Sequence, residues 1–348
     1  MYFSDHLKKQ ISLHPSMQPQ DIVKLCYQAA FGAEHLLLDT KQAEISFEKE
    51  FLAVPAADVP LYEDISPEIC RMNLSAWKAS SLPAQWLFRM FLETAAIPQH
   101  GEESFLQYLE TAERFLSECS VSFSIAEWDA YLSLYQKDGI HAVHHSDAYR
   151  SAEKPAYRIV HRKFLQLLPV LQEAAKLQKD GIKIIAIDGR AASGKTTLAE
   201  NLSKILTADV IHMDDFFLPP ALRTEDRLSE PGGNIHYERF TEEILPFLRK
   251  EPPFSYRIFD CSQMDYNGSQ TISSVPFRIV EGAYSCHPLF GNYADLKIFS
   301  DISPAEQLQR IRKRNGSEMA ELFRSRWIPM EENYYTHFQI KEKADLIL

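Results

Sequence analysis

The stretch IIAIDGRAASGKTTLAENL, residues 184–202, decides how the second half of this chain is read. It opens on an apolar, β-branched run, passes through small residues, and ends on a lysine, two threonines and a helix-forming segment. Gly189 to Thr196 spells G-R-A-A-S-G-K-T, which satisfies G-x-x-x-x-G-K-[ST] in full and lies between a strand and a helix. Gly189 and Gly194 let the backbone turn without a Cβ in the way of a phosphate. The amides of Arg190, Ala191, Ala192, Ser193, Gly194, Lys195, Thr196 and Thr197, with the helix N-terminus behind them, then face an anion. Lys195 is placed to reach the β and γ phosphates, and the Thr196 hydroxyl to ligate Mg²⁺. The stretch reads as a cradle for a polyphosphate.

Outward from this stretch the same grammar continues. IKIIAID (182–188), DVIHM (209–213), PFRIVEG (276–282), DLKIFSD (295–301) and ADLIL (344–348) read as strands. GKTTLAENLSKIL (194–206) and SPAEQLQRIRKR (303–314), with Ser303 as cap, read as helices between them. Strands alternating with helices predict a parallel sheet covered on both faces, an α/β domain over 179–348. Upstream, DIVKLCYQAAFGAEHLLLD (21–39), LPAQWLFRMFLETA (82–95) and EESFLQYLETAERFLSEC (102–119) carry apolar residues at helical spacing. SIAEWDAYLSLYQ (124–136) starts with Ser124 and Glu127 in a capping-box arrangement. AVPAADVPLYEDISPEICRM (53–72), with its three prolines, reads as loop around a short hairpin. YRIVHRKFLQLLPVLQEAAKLQKDG (157–181) reads as a helix ending at Gly181. Residues 1–178 are thus expected to form a mainly α-helical domain, with the boundary near 176–182.

Composition narrows the classes of function. The 348 residues suffice for two domains, and 45% hydrophobic with 24% charged residues is the balance of a globular protein. A net charge of −11 argues against general nucleic-acid binding. No apolar run reaches the roughly 18 residues of a membrane span. MYFSDHLKKQ places charges where a secretion signal needs apolar residues, so a cytoplasmic location is expected. Cys26, Cys70, Cys119, Cys261 and Cys286 form no CxxC pair, which fits a reducing compartment and no cysteine zinc site.

Two carboxylate-bearing stretches separate a phosphotransferase from other users of a phosphate cradle. In VIHMDDFFLPP (210–220), Asp214 and Asp215 follow the second strand at the carboxyl edge, where open α/β sheets place their chemistry. A carboxylate there can take the proton of an attacking hydroxyl. The plainer reading makes one aspartate a cap and leaves the other solvated. In FRIVEGAYS (277–285), Glu281 ends the third strand, where it can hold Mg²⁺ or form a strand-end salt bridge. No base-reading motif of a GTPase follows.

The set GRAASGKTT, HMDDFFLPP, IVEGAYS and QRIRKRNG…RSRWIPMEENYY…ADLIL resembles the uridine kinase-like branch of the P-loop kinases, over about residues 182–348. That branch includes uridine-cytidine, nicotinamide riboside and pantothenate kinases and phosphoribulokinase. The resemblance implies a five-stranded parallel sheet in order 2-3-1-4-5 with helices on both faces, a Walker A loop, and an arginine-bearing lid. It implies transfer of the ATP γ-phosphate to a hydroxyl of a small molecule, such as a nucleoside or nucleoside-like compound, with ATP and Mg²⁺ as cofactors. Asp215 would be the catalytic base, with Lys195 at the phosphates and Thr196 and Glu281 at the magnesium. The lid would begin near Arg310, with Arg312 and Arg314 as contacts for the transferring phosphate. Arg310, Arg312, Lys313, Arg314, Arg324 and Arg326 make a basic stretch in an acidic chain, part of which a solvated helix face explains. Tyr237, Arg239, Tyr256 and Arg257 lie in the region of the family's acceptor site; they either bind substrate or serve as core aromatics and surface arginines. An adenine-side loop usually found after the fifth strand is expected to be missing or truncated. The rival reading is an ATP-binding switch or regulatory ATPase whose helical half is the output domain.

The first half resembles no family of known function. GIHAVHHSDAYR (139–150) holds His141, His144 and His145, which a helical step would bring together as metal ligands, with Asp147 alone to complete them; caps and loop polar groups are the other reading. Glu34 and His35 read as structural, and Arg71 with Asn73 as an anion site of low claim. A dimerisation platform that would make the protein a homo-oligomer, a lid over the cleft, and a sensor all remain open for this half. The partners expected are a small-molecule phosphoryl acceptor, with no nucleic acid and no membrane.

Overall fold

The computed structural model describes residues 2–33, 39–98, 101–117, 121–177 and 180–348. The chain divides into two compact units, Met1–Leu168 and Pro169–Leu348; the change of grammar in the sequence lies some residues further on.

In the second unit the strands that read as β-branched runs pair into one sheet. We number the strands along the whole chain. The first unit holds β1 (Tyr62–Asp64), β2 (Ile69–Asn73) and β3 (Tyr157–His161). The second holds β4 (Lys183–Gly189), β5 (Ala208–His212), β6 (Phe254–Asp260), β7 (Asp265–Ile272), β8 (Phe277–Glu281), β9 (Leu296–Ser300) and β10 (Leu346–Ile347). The large sheet runs β10-β9-β4-β8-β5, with every pairing parallel. Counted by appearance within the sheet this is the order 2-3-1-4-5. β4 lies at its centre, its residues Ile184 to Ile187 fully buried between β8 and β9, as a continuous apolar run requires in a sheet covered on both faces. The chain leaves β4 for one edge strand, β5, and returns to β8 beside β4, so the carboxyl ends of β4, β5 and β8 border one crevice.

The helix Lys195–Leu206 follows β4, with Gly194 as its N-cap at φ 107°. Gly189, at φ 138°, passes so close to Ser300 of β9 that a Cβ would collide with the Ser300 backbone. Ser303 caps the helix Pro304–Asn315 by accepting the Glu306 amide at 3.3 Å. Beyond it the chain is helical from Ser317 to Phe338, with one π-helical stretch at Phe323–Trp327.

β6 and β7 form a separate antiparallel hairpin that the sequence reading did not predict. Its connecting residues, Cys261–Met264, lack the Asn-Gly or Asp-Gly pair that marks tight hairpins, and its register shifts between Arg257 and Phe259. Gln270 of β7 ties it to the main sheet by donating to the Val210 carbonyl of β5 at 2.6 Å.

The first unit is mainly helical, with helices including Phe3–Leu13, Pro19–Phe31, Thr40–Ala53, Ala84–Ala95, Gly101–Leu116 and Ile125–Lys137. Ser124 and Glu127 form the capping box the sequence implies. β1, β2 and β3 make a small antiparallel sheet in that order. Residues 157–181 are therefore not one helix. Tyr157–His161 pairs residue by residue with Asn73–Ile69, the adjacent Ile159 and Val160 are both buried, and a 3₁₀ turn at Arg162–Leu167 precedes the helix Leu168–Lys176. A β-branched pair on a pleat outweighed the apolar spacing downstream. Among the described residues no helix is long and apolar enough to cross a membrane.

Candidate functional site

The crevice at the carboxyl edge is built from the phosphate-loop residues upward. Lys195 is buried, and its ammonium donates to the carbonyls of Gly189 at 2.7 Å and Arg190 at 2.9 Å. It thus spans the mouth of the loop from within. Thr196, one residue into the helix, points its hydroxyl at Glu281 on β8, with Oγ1 3.3 and 3.4 Å from the two carboxylate oxygens. The register explains the meeting: Ile187 of β4 pairs with Glu281, so the end of β8 lies beside the start of the loop.

His212 of β5 pairs with Glu281 in register, and its Nδ1 lies 2.6 Å from Glu281 Oε1. That hydrogen bond raises the imidazole pKa above its ordinary value. Sequence reasoning missed His212, although a histidine two residues before an aspartate pair at a strand end was visible.

Asp214 and Asp215 follow in a single 3₁₀ turn, Met213–Phe216. Asp214 is exposed, whereas Asp215 is half-buried. Asp215 Oδ2 accepts from the Tyr256 hydroxyl at 2.9 Å, and Tyr256 is itself buried in β6. Its Oδ1 has no hydrogen-bond partner among the described residues. Burial lifts the Asp215 carboxyl above the usual range, against the pull of the Tyr256 hydroxyl. The Arg239 guanidinium packs 4.1 Å from the Phe216 ring centroid and donates to the carbonyls of Asp215 and Arg257, each at 2.7 Å. Of the four residues expected near an acceptor, Tyr256 and Arg239 therefore hold the Asp215 turn. Tyr237 lies between the Arg227 guanidinium and the His287 ring, its hydroxyl 3.2 Å from Glu230. Arg257 is exposed and paired with Glu243 at 2.7 Å.

The loop is also gripped from the C-terminal helix Ile328–Phe338, which sequence reasoning assigned no role beyond the resemblance. Glu331 Oε2 accepts the Ala191 amide at 3.0 Å, and Tyr335 donates to the Gly189 carbonyl at 2.6 Å. Tyr334 donates to Asp188 Oδ2 at 2.9 Å, while Asp188 also accepts the amides of Gly189, Tyr284 and Cys286. Arg190 pairs with Glu332 at 2.6 Å and with Asp301. The Arg190 amide goes to the Ser300 carbonyl at 3.2 Å and the Ser193 amide to the Arg190 carbonyl at 3.2 Å, so these two, with the Ala191 amide held by Glu331, do not face an anion as the sequence implies. Gln307 donates to the Ala191 carbonyl at 3.1 Å. An acidic pair followed by a tyrosine pair, in EENYY (331–335), was the available signal.

The basic stretch divides. Arg310 reaches the loop, donating to the carbonyls of Ala192 at 3.2 Å and Ser193 at 3.4 Å. Arg314 instead donates to Asn315 at 2.7 Å, Arg324 pairs with Glu321, and Arg326 stacks on Trp327. Arg312 and Lys313 are exposed.

Thr196 and Glu281 offer hard oxygen donors a hydrogen-bond length apart, which suits Mg²⁺ held by few protein ligands and completed by phosphate and water. Among the described residues no group of three or more histidine, cysteine, aspartate or glutamate side chains forms a complete metal cage.

Neither a protein-family model nor a curated protein matches the chain. Among solved structures, it is similar to a candidate uridine kinase from Bacillus stearothermophilus, at 20% identity and a TM-score of 0.42, over 53% of this chain and 99% of that one. It is also similar to a candidate fructose transport system kinase from Silicibacter sp. TM1040, at 21% identity and a TM-score of 0.42, over 53% of this chain and 97% of that one. The α/β fold itself rests on the strand order and the loop geometry given above.

In the first unit the three histidines do not meet. Residues 141–146 belong to no helix or strand, because the helix Asp147–Glu153 begins only after Ser146, which caps it. His141 stacks on Tyr135 at 4.6 Å, and His144 is exposed. His145 is buried between Asp21, 2.7 Å from its Nδ1, and the Tyr157 hydroxyl, 2.6 Å from its Nε2. Arg71 is buried and, among the described residues, donates to Gln10 and Gln28, while Asn73 caps the helix Leu74–Ala79. Glu34 and His35 lie outside the described residues.

Proposed function

We propose that the second unit is an ATP- and Mg²⁺-dependent kinase that transfers the γ-phosphate to a hydroxyl of a small molecule, a nucleoside or nucleoside-like compound. The observation that carries this reading is the Asp215 carboxylate. Its Oδ2 is held by Tyr256, its Oδ1 has no partner among the described residues, and it stands one strand away from the Thr196–Glu281 contact at the end of the phosphate loop.

The chain's own residues divide the work. The loop amides that are not already bonded within the protein, with the Lys195 ammonium, would hold the phosphates and neutralise their charge. Thr196 and Glu281 would hold Mg²⁺, which adds positive charge to the phosphate oxygens when bound. Asp215 accepts the acceptor's hydroxyl proton at Oδ1 while Tyr256 fixes the carboxylate plane, and the raised pKa of this acid makes it a better base than a free aspartate. Arg310, anchored beside Ala192 and Ser193, is placed at the loop's solvent side to meet charge on the transferring group. Phosphoryl transfer asks mainly for positioning and charge neutralisation, and these are what the site offers.

The test is ADP release measured with nucleosides, vitamin precursors and sugars offered one at a time. Acceptor-dependent release, reduced on the order of a hundredfold or more by Asp215→Asn with ATP affinity nearly intact, is the expected result. Release that ignores every acceptor would instead favour an ATP-driven switch.

A further inference from the structure

The first unit contains a cavity of about 680 Å³, within the range that takes small organic ligands, and nothing in the proposed kinase chemistry uses it. Polar and charged residues share its lining with Ala43, Phe91, Pro155 and Ile159, and most of the charge is already spoken for. Arg158 pairs with Glu50 at 2.8 Å, and Arg150 with Asp147 at 2.8 Å. The Asp39 carboxylate accepts the amides of Lys41 and Gln42 as a helix cap. Lys24 is the exception. Its ammonium donates to the Val143 carbonyl at 2.8 Å, and no carboxylate pairs with it among the described residues. Burial, with the nearby Arg71 guanidinium, lowers its pKa to about 8 against the pull of the Asp21 carboxylate, so it still carries its proton at neutral pH. A half-buried cation with no carboxylate in direct contact is costly in a folded protein unless something supplies more charge.

Beside it the wall presents a fixed polar pair. The Tyr157 hydroxyl meets His145 Nε2 at 2.6 Å, and Asp21 holds the other ring nitrogen at 2.7 Å. Ser146 and Gln28 complete a buried network around them. Such a network fixes donors and acceptors in place before any ligand arrives.

We propose that this cavity binds a small molecule carrying an oxyanion group, phosphate or carboxylate, with the oxyanion on Lys24 and a neighbouring polar group of the ligand on the Tyr157–His145 pair. This is a second ligand site, independent of the phosphate loop.

Thermal unfolding of the full chain tests it, with millimolar orthophosphate in one arm and citrate in the other. The loop also attracts anions, so Lys195→Met is measured beside Lys24→Met. At least one probe should raise the melting temperature by about 2–4 °C in the wild type and in Lys195→Met, but not in Lys24→Met. The responding arm names the oxyanion. Ser46→Trp, at an exposed position on the cavity wall, should abolish the rise without disturbing the core, and it decides the matter if Lys24→Met does not fold. The proposal is overturned if neither probe raises the melting temperature, if the rise survives both cavity variants, or if Lys195→Met alone removes it.

Discussion

Glu331 accepts the Ala191 amide at 3.0 Å, so a buried carboxylate from the C-terminal helix lies against the loop that is built to hold an anion. Burial pushes its pKa up to about 7, with Lys195 and the Ala191 amide pulling the other way. A group whose folded pKa exceeds its unfolded value near 4.5 adds no penalty below that value. Its cost to stability grows as pH rises from about 4.5 and is complete above about 7. Glu331→Gln keeps an oxygen for Ala191 but removes the titration. We expect the variant to gain about 1–3 kcal/mol relative to the wild type at pH 8 over pH 5, read by denaturant unfolding at both. An unchanged difference between the two pH values would show that Glu331 is not held above its ordinary pKa.

Tyr256→Phe removes the hydroxyl that steadies Asp215 without disturbing the ring's packing on Phe216. A hydrogen bond to the charged form lowers an acid's pKa, so its loss lifts the Asp215 pKa further. The acid limb of the rate profile should move to higher pH, and kcat should fall about tenfold with KM little changed. A profile that stays in place would separate Tyr256 from the base.

Glu281→Gln weakens the charge next to Thr196 and leaves the fold's hydrogen-bonding shape intact. The Mg²⁺ concentration needed for half-maximal activity should rise on the order of tenfold or more. A magnesium titration that overlays the wild type would remove Glu281 from the metal.

Lys195→Met takes away the ammonium that spans the loop carbonyls. ATP with Mg²⁺ should raise the melting temperature of the wild type by several degrees, about 2–4 °C for each kcal/mol of binding. The rise should shrink to near zero in the variant. Equal shifts in the two proteins would mean that ATP binds elsewhere.

Much of the second unit was legible because its information is local. Ile184 to Ile187 are buried on both sides, and a strand of that kind shows as an unbroken apolar run. The loop's glycines and lysine act through backbone geometry within eight residues. Asp215 and Glu281 could be picked out because one follows and the other ends a strand at the carboxyl edge. The partners of these residues were not legible, because they arrive from distant segments. Tyr256 reaches Asp215 from a hairpin with no turn signature, and Glu331 reaches Ala191 across 140 positions of chain. His212 looked like one more polar residue at a strand end until register set it against Glu281. In the first unit, Tyr157–His161 shows the opposite failure, since apolar spacing is shared by helices and by strands buried on both faces.

The hairpin β6–β7 reaches the Asp215 turn through the Tyr256 hydroxyl and through the Arg257 carbonyl that Arg239 bridges to it, and is fastened to the sheet by Gln270 on Val210. In the proposed kinase the grip on the donor nucleotide would be written in the sheet and the C-terminal helix, whereas the posture of the acid is written in a two-stranded flap outside them. Lengthening or recolouring that flap could therefore retune which alcohol is accepted while leaving the phosphate end of the machine as it is.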